Sequence, residues 1–302
     1  MDELLEASIA NTLTAHLPAG SLTIELVRRI DRHVFPKTVS AVVPETLTRS
    51  DGSEFSLSWY QPAAGGEAHD TMVLWIHGGG LILGDTAGDD SRCQHLADKH
   101  DVVVASVGYG LSPEFPYPTP LEDCFESLRS VERRFENVIV IGASAGGCLA
   151  AGLALVARDR GHKSIRGLHL YYPMLDDRTG MSGSPNGEEP PVWDSRLNQL
   201  AWNAYLGGAE PTPYAAPARA EDLTDLPPTY MDTGEFDLFL AEDLSFATRL
   251  AEAGNDVRIN VVSGAVHAYD LIAPEWPGSI AVAERRALEL TQLLDRIRGR
   301  ER

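Results

Sequence analysis

The chain has 302 residues, a formal net charge of −19 and a pI near 4.8. Such a field repels polyanions, so nucleic acid and anionic membrane surfaces are not expected partners. Three cysteines, Cys93, Cys124 and Cys148, are odd in number and lack CxxC spacing, which argues against a disulfide framework or a metal site.

The opening stretch MDELLEASIA has neither a basic region nor a long apolar run, so no signal peptide is expected and the cytoplasm is the default compartment. The chain exceeds a typical domain of roughly 100 to 150 residues, yet no Ser/Gly- or Pro-rich linker divides it. One α/β domain spanning 1–302 is expected. Residues 1–35 carry apolar positions at helical spacing, interrupted at Gly20, and predict two short amphipathic helices. Residues 46–49 and 54–60 read as a hairpin around Asp51-Gly52, and the apolar run 71–76 reads as a buried strand.

From there helical and extended periods alternate. Helices are predicted at 91–99, 121–135, 145–158, 240–253 and 280–297, with strands at 102–107, 138–141, 165–171, 229–232 and 257–262. Alternation of this kind implies a mostly parallel sheet covered by helices on both faces. Residues 180–218 break the rhythm: they are rich in Gly and Pro, then helical through Trp193, Leu197, Leu200, Ala201, Trp202 and Tyr205, and they read as an insertion over a site.

Two glycine clusters follow predicted strands. The second, Gly142-Ala143-Ser144-Ala145-Gly146-Gly147, is a GxSxG in the strand–turn–helix context that a nucleophile elbow requires. By composition the bare GxSxG pattern is expected about 0.2 times by chance, whereas the first cluster, His77-Gly78-Gly79-Gly80, is expected fewer than about 0.01 times. Their co-occurrence in this order points to nucleophilic acyl transfer at Ser144.

The chain resembles the hormone-sensitive-lipase-like esterases of the α/β-hydrolase fold. Four blocks carry the likeness: 77–80, Tyr109-Gly110-Leu111-Ser112-Pro113-Glu114 with Pro116 and Pro118, 142–147, and Glu235-Phe236-Asp237-Leu238. The second block departs from the usual YRLAPE, with Gly110 and Ser112 in place of an arginine and an alanine. Ala143 also stands where the family often has an acidic or small polar residue, and Leu238 where it has proline.

In this fold the chain order is nucleophile, acid, base. Of the histidines after Ser144, His162 and His169 come too early, which leaves His267 in the loop 263–269 as the base. Among the acids near a preceding strand end, Asp232 belongs to the strand and Glu242 and Asp243 read as a solvated helix face. Asp237 is the choice, in agreement with the family pattern, and Glu235 is the reserve. The backbone N–H groups of Gly79, Gly80 and Ala145 are the expected oxyanion donors. His77 is expected to orient its loop rather than act chemically, and Glu114 and Asp123 to anchor it from behind.

The resemblance further implies a cap built from residues 1–40 and 180–215. Within it, Trp193, Trp202 and Tyr205 either line the substrate pocket or form the cap's own core. No long greasy lid is present, so small soluble esters, roughly acetyl to hexanoyl, are the expected substrates, with no cofactor. The same triad could serve an amidase, lactonase or acyltransferase, or the scaffold a ligand receptor. Ile280, Val282, Ala287, Leu290 and Leu293 serve either a homodimer contact or the core.

Overall fold

The computed structural model describes residues 23–34, 42–63, 70–181 and 189–299. The first predicted helix lies outside this range; the second is α1, Ile24–Val34. The strands are β1 (Glu45–Thr48), β2 (Glu54–Tyr60), β3 (Thr71–Ile76), β4 (Val103–Gly108), β5 (Asn137–Ala143), β6 (Ile165–Tyr171), β7 (Thr229–Gly234) and β8 (Val257–Val262). Between and after them run α2 (Asp90–His100), α3 (Thr119–Val131), α4 (Ala145–Asp159), α5 (Ser195–Leu206), α6 (Leu240–Glu252), α7 (Tyr269–Ile272) and α8 (Pro277–Ile297). The eight strands form one sheet in the order β1-β2-β4-β3-β5-β6-β7-β8. β1, β2 and β4 pair antiparallel, and every pair from β4 to β8 is parallel, so the expected α/β-hydrolase architecture is the one observed.

Side chains on a strand alternate between faces, and β3 and β5 are apolar on both. Met72, Leu74, Ile76, Val138 and Val140 join the core beneath α3, α4 and α5, while Val73, Trp75, Ile139 and Ile141 join a second core with Cys93 and Ala97 of α2 and Leu290, Leu293 and Leu294 of α8. Helix α4 is buried along nearly its whole length, from Ala145 to Ala157. A helix apolar all round fits that position between the sheet and α5.

The topology also fixes where chemistry can occur. The chain leaves β3 for β4 on one side and then returns to β5 on the other, so a crevice opens at the C-terminal ends of β3 and β5. Both glycine clusters begin there. The predicted insertion contributes α5, whose residues Leu197, Ala201, Trp202 and Tyr205 belong to the same core as β3 and α4.

The structure corrects one reading. Glu242 and Asp243 are not a solvated face: they are 7% and 0% exposed. Their side of α6 turns inward, where Glu242 accepts hydrogen bonds from the Leu175 and Asp176 backbone N–H groups and from the Thr179 hydroxyl. Burial pushes both carboxyl groups well above the ordinary carboxylate range.

Candidate active site

Ser144 stands between β5 and α4 with φ 52° and ψ −117°, a left-handed conformation that non-glycine residues rarely hold. The neighbouring chain passes so close that a Cβ on Gly146 would lie 2.0 Å from the Ile76 carbonyl oxygen, so only glycine fits. The Ser144 N–H donates to the Tyr171 carbonyl at 2.8 Å, and its own carbonyl accepts from Met174 N–H at 3.1 Å, tying the elbow to the end of β6.

His267, in the loop after β8, places Nε2 2.9 Å from Ser144 Oγ. Its Nδ1 lies 2.8 Å from Asp237 Oδ2, and Asp237 Oδ1 accepts from the Phe239 N–H at 3.0 Å. All three side chains are buried. Tyr172 and Phe239 meet the imidazole edge-on, with ring centroids 5.1 Å away in each case. The reserve acid, Glu235, is directed elsewhere: it accepts from Ser263 Oγ and Gly264 N–H and so pins the start of the His267 loop. His162 pairs with Glu132 and His169 packs on Tyr230, both away from the serine.

On the opposite side of Ser144 lies the HGGG loop. Gly79, Gly80 and Leu81 all have positive φ, of 110°, 59° and 65°. Among the described residues, no acceptor takes up the N–H groups of Gly79 or Gly80. His77 is buried; its Nδ1 contacts the Gly78 carbonyl at 2.7 Å and its ring stacks on Tyr109 at 4.2 Å. Burial holds the imidazole pKa below its usual value, so a neutral ring braces the loop.

The second block acts from behind. Asp123 accepts from Gly110 N–H at 2.8 Å and forms a two-pronged pair with Arg49, at 2.7 Å for each prong. Where the usual block carries an arginine, this chain has Gly110, and a guanidinium reaches the spot from the β1–β2 turn instead; a Cβ on Gly110 would sit 3.1 Å from Arg49 Nη2. Glu114 binds Arg28 of α1, which also donates to the Ile82 and Ser112 carbonyls and so fastens α1 onto the end of the HGGG loop.

Of the three aromatics, the structure brings Trp193 to His267 and Gly80. Its indole lies across Gly80, where a Cβ would fall 2.2 Å from the ring, and its centroid is 6.3 Å from that of His267. Asn198 holds the indole N–H at 3.2 Å. Trp202 and Tyr205 lie deeper, packed on each other and, for Tyr205, edge-on to Tyr117. The residues that motif reasoning missed are Asp232, Asp270 and Arg286, a buried ion-pair cluster behind His267. A signal existed: Arg286 falls on the stripe Val282, Leu290, Leu293 of α8, where an apolar residue is expected.

The family model for the α/β-hydrolase fold matches residues 73–271. The esterase LipI of Mycobacterium tuberculosis is 32% identical over 247 residues, covering 78% of this chain and 77% of that protein. Among solved structures, a bacterial heroin esterase superposes with a TM-score of 0.78 at 31% identity, covering 97% of this chain and 96% of the other. An esterase from the bacterial hormone-sensitive lipase family gives 0.80 at 25% identity, with 97% and 98% covered. The chain therefore belongs to the α/β-hydrolase-fold family, among the hormone-sensitive-lipase-like esterases.

Proposed function

We propose that the protein is a serine carboxylic ester hydrolase for small, soluble, short-chain acyl esters, with Ser144 as nucleophile, His267 as general base and Asp237 as its partner. One observation carries the reading: the unbroken series Asp237 Oδ2, His267 and Ser144 Oγ, with contacts of 2.8 and 2.9 Å, facing a loop of free backbone N–H groups. Ser144 Oγ attacks the ester carbonyl carbon as its proton passes to His267 Nε2. Asp237 fixes the tautomer with the proton on Nδ1 and stabilises the imidazolium. Negative charge then develops on the carbonyl oxygen, where Gly79, Gly80 and Ala145 N–H groups stabilise it, at a few kcal/mol per donor. Collapse expels the alcohol, which takes the proton from His267. Water, deprotonated by the same imidazole, then releases the acid from the acyl-enzyme. No step calls for a cofactor or metal.

The indole of Trp193 over Gly80 limits the room beside the acyl carbon and supports a short-acyl preference. Trp202 and Tyr205 are buried in the same core as β3 and α4, which supports their packing the cap's own core rather than lining the pocket. In this reading α1 and α5 belong to a cap over one domain; the remainder of 1–40 and residues 182–188 lie outside the described residues. Among the described residues no helix is long and apolar enough to cross a membrane. The buried cysteine thiols support a cytoplasmic setting, and the net charge of −19 supports a small-molecule substrate over nucleic acid or a membrane surface. Exposed Val261 on edge strand β8 and Ile280 and Leu288 on α8 support pairing of two copies.

A chain-length series of nitrophenyl esters tests the reading. Rates are expected to peak between acetyl and hexanoyl and to fall by about 10⁴-fold or more in Ser144→Ala. A maximum at dodecanoyl or longer, or equal rates in wild type and variant, contradicts it.

A further inference from the structure

Behind the triad, one guanidinium touches all three segments that carry it. Arg286 of α8 is 8% exposed. It forks onto Asp232 of β7, Nε to Oδ2 at 2.7 Å and Nη2 to Oδ1 at 2.6 Å, and β7 runs directly into the loop that bears Asp237. Nη1 donates to Asp270 at 2.6 Å, on the short helix that follows His267. The guanidinium carbon also lies 3.8 Å from the ring centroid of Tyr171, whose carbonyl accepts the Ser144 N–H.

The cluster is closed by aromatic hydroxyls. Tyr172 Oη donates to Asp270 at 2.6 Å, and the same ring meets the His267 imidazole edge-on. Tyr172 is held at φ 38°, with its N–H on the Asp232 carbonyl at 2.6 Å. Tyr269 Oη donates to Asp232 at 2.7 Å, and Arg92 of α2 reaches Asp270 at 3.1 Å. Burying these charges brings desolvation costs that an apolar cluster of the same volume would avoid. What the ion pairs supply, and apolar packing does not, is fixed direction: a planar fork can hold two carboxylates on two different elements at set distances.

We infer that Arg286 is a positioning residue of this esterase, setting the relation between the His267 turn, the Asp237 loop and the Ser144 elbow through Asp270, Asp232 and Tyr171. The inference rests on the proposed triad. A displacement of His267 by about 1 Å is enough to cost on the order of 10²-fold in rate. A lysine at this position keeps the charge but cannot span both carboxylates.

The test uses the full chain as wild type, Arg286→Lys, Tyr172→Phe and Asp270→Asn. Three quantities are read: kcat and KM on nitrophenyl acetate, the rate of fluorophosphonate labelling at Ser144, and folding by circular dichroism at the assay temperature. Arg286→Lys is expected to lower kcat by ten- to a hundredfold with KM changed less than about threefold, and to slow Ser144 labelling by the same factor in folded protein. Tyr172→Phe and Asp270→Asn are expected to show the same split, severalfold in kcat. Folded Arg286→Lys with wild-type kcat and labelling, and a change confined to thermal stability, overturns the inference. If Arg286→Lys does not fold, wild-type kcat in both of the other variants overturns it equally. Absence of label at Ser144 in the wild type is a separate failure: it removes the triad itself, whatever the Arg286 variants do.

Discussion

The two sides of Ser144 are built by different means. On the side proposed to hold the oxyanion, the parts nearest Ser144 are backbone: consecutive glycines, positive φ angles and a buried neutral His77 bracing them from within the same loop. On the base side they are side chains, His267 and Asp237, aligned by ion pairs and rings from β6, β7, α2 and α8. A receptor for charge made of peptide groups is fixed by local chain geometry. An imidazole that must keep Nδ1 on Asp237 and Nε2 on Ser144 is fixed by distant contacts. The first is consequently damaged by adding atoms, the second by removing polar ones.

That contrast can be broken by substitution. Asp237→Asn leaves the shape of the base side intact but favours the wrong imidazole tautomer, and a loss of about 10⁴-fold in kcat is expected. Glu235→Gln, which disturbs only an exposed loop contact, is expected to stay within a few fold; steady-state kinetics that reversed this order would move the acid to Glu235. Gly80→Ala places a methyl group in the space of the Trp193 ring at φ 59°. A fall in kcat of about 10²- to 10³-fold is expected, the size associated with loss of one oxyanion donor. If kcat is unchanged in Gly80→Ala, the backbone account of that side fails.

The smallest effect concerns stability. Asp243 lies wholly buried beside Glu242 and Asp237, and its folded carboxyl titrates above the unfolded value. Such a group binds its proton more tightly in the folded than the unfolded state, so it favours folding at low pH and loses that contribution as pH rises past the unfolded pKa of about 3.9. Asp243→Asn is therefore expected to gain stability on wild type as pH rises from 4 to 7.5, with the gain shrinking again towards pH 4. Thermal melts at the two pH values measure it, and a gain that is independent of pH contradicts it.

Much of the geometry around Ser144 was legible in the sequence because its information is contiguous: 77–80 after a buried strand and 142–147 before a helix state their geometry within a few residues. Asp237 and His267 were legible through chain order, since parallel strands emerge on the same edge of the sheet. Contacts between distant side chains were not. Glu242 and Asp243 read as solvated because carboxylates on a helix usually are, and only the path of the loop after β6 shows that backbone N–H groups await Glu242. Likewise Arg49 and Asp123, far apart in the chain, restore behind the Gly110 loop a guanidinium that the block itself lacks. Arg286 carried a visible oddity, a charge on an apolar helix stripe, but no pattern names its two partners.

The central claim, that Ser144 is the activated nucleophile, is tested most directly by fluorophosphonate labelling of the intact protein followed by peptide mapping. A single adduct on Ser144 is expected, formed quickly in the wild type and abolished in His267→Ala. An adduct on any other residue, or undiminished labelling of Ser144 without the imidazole, would contradict it.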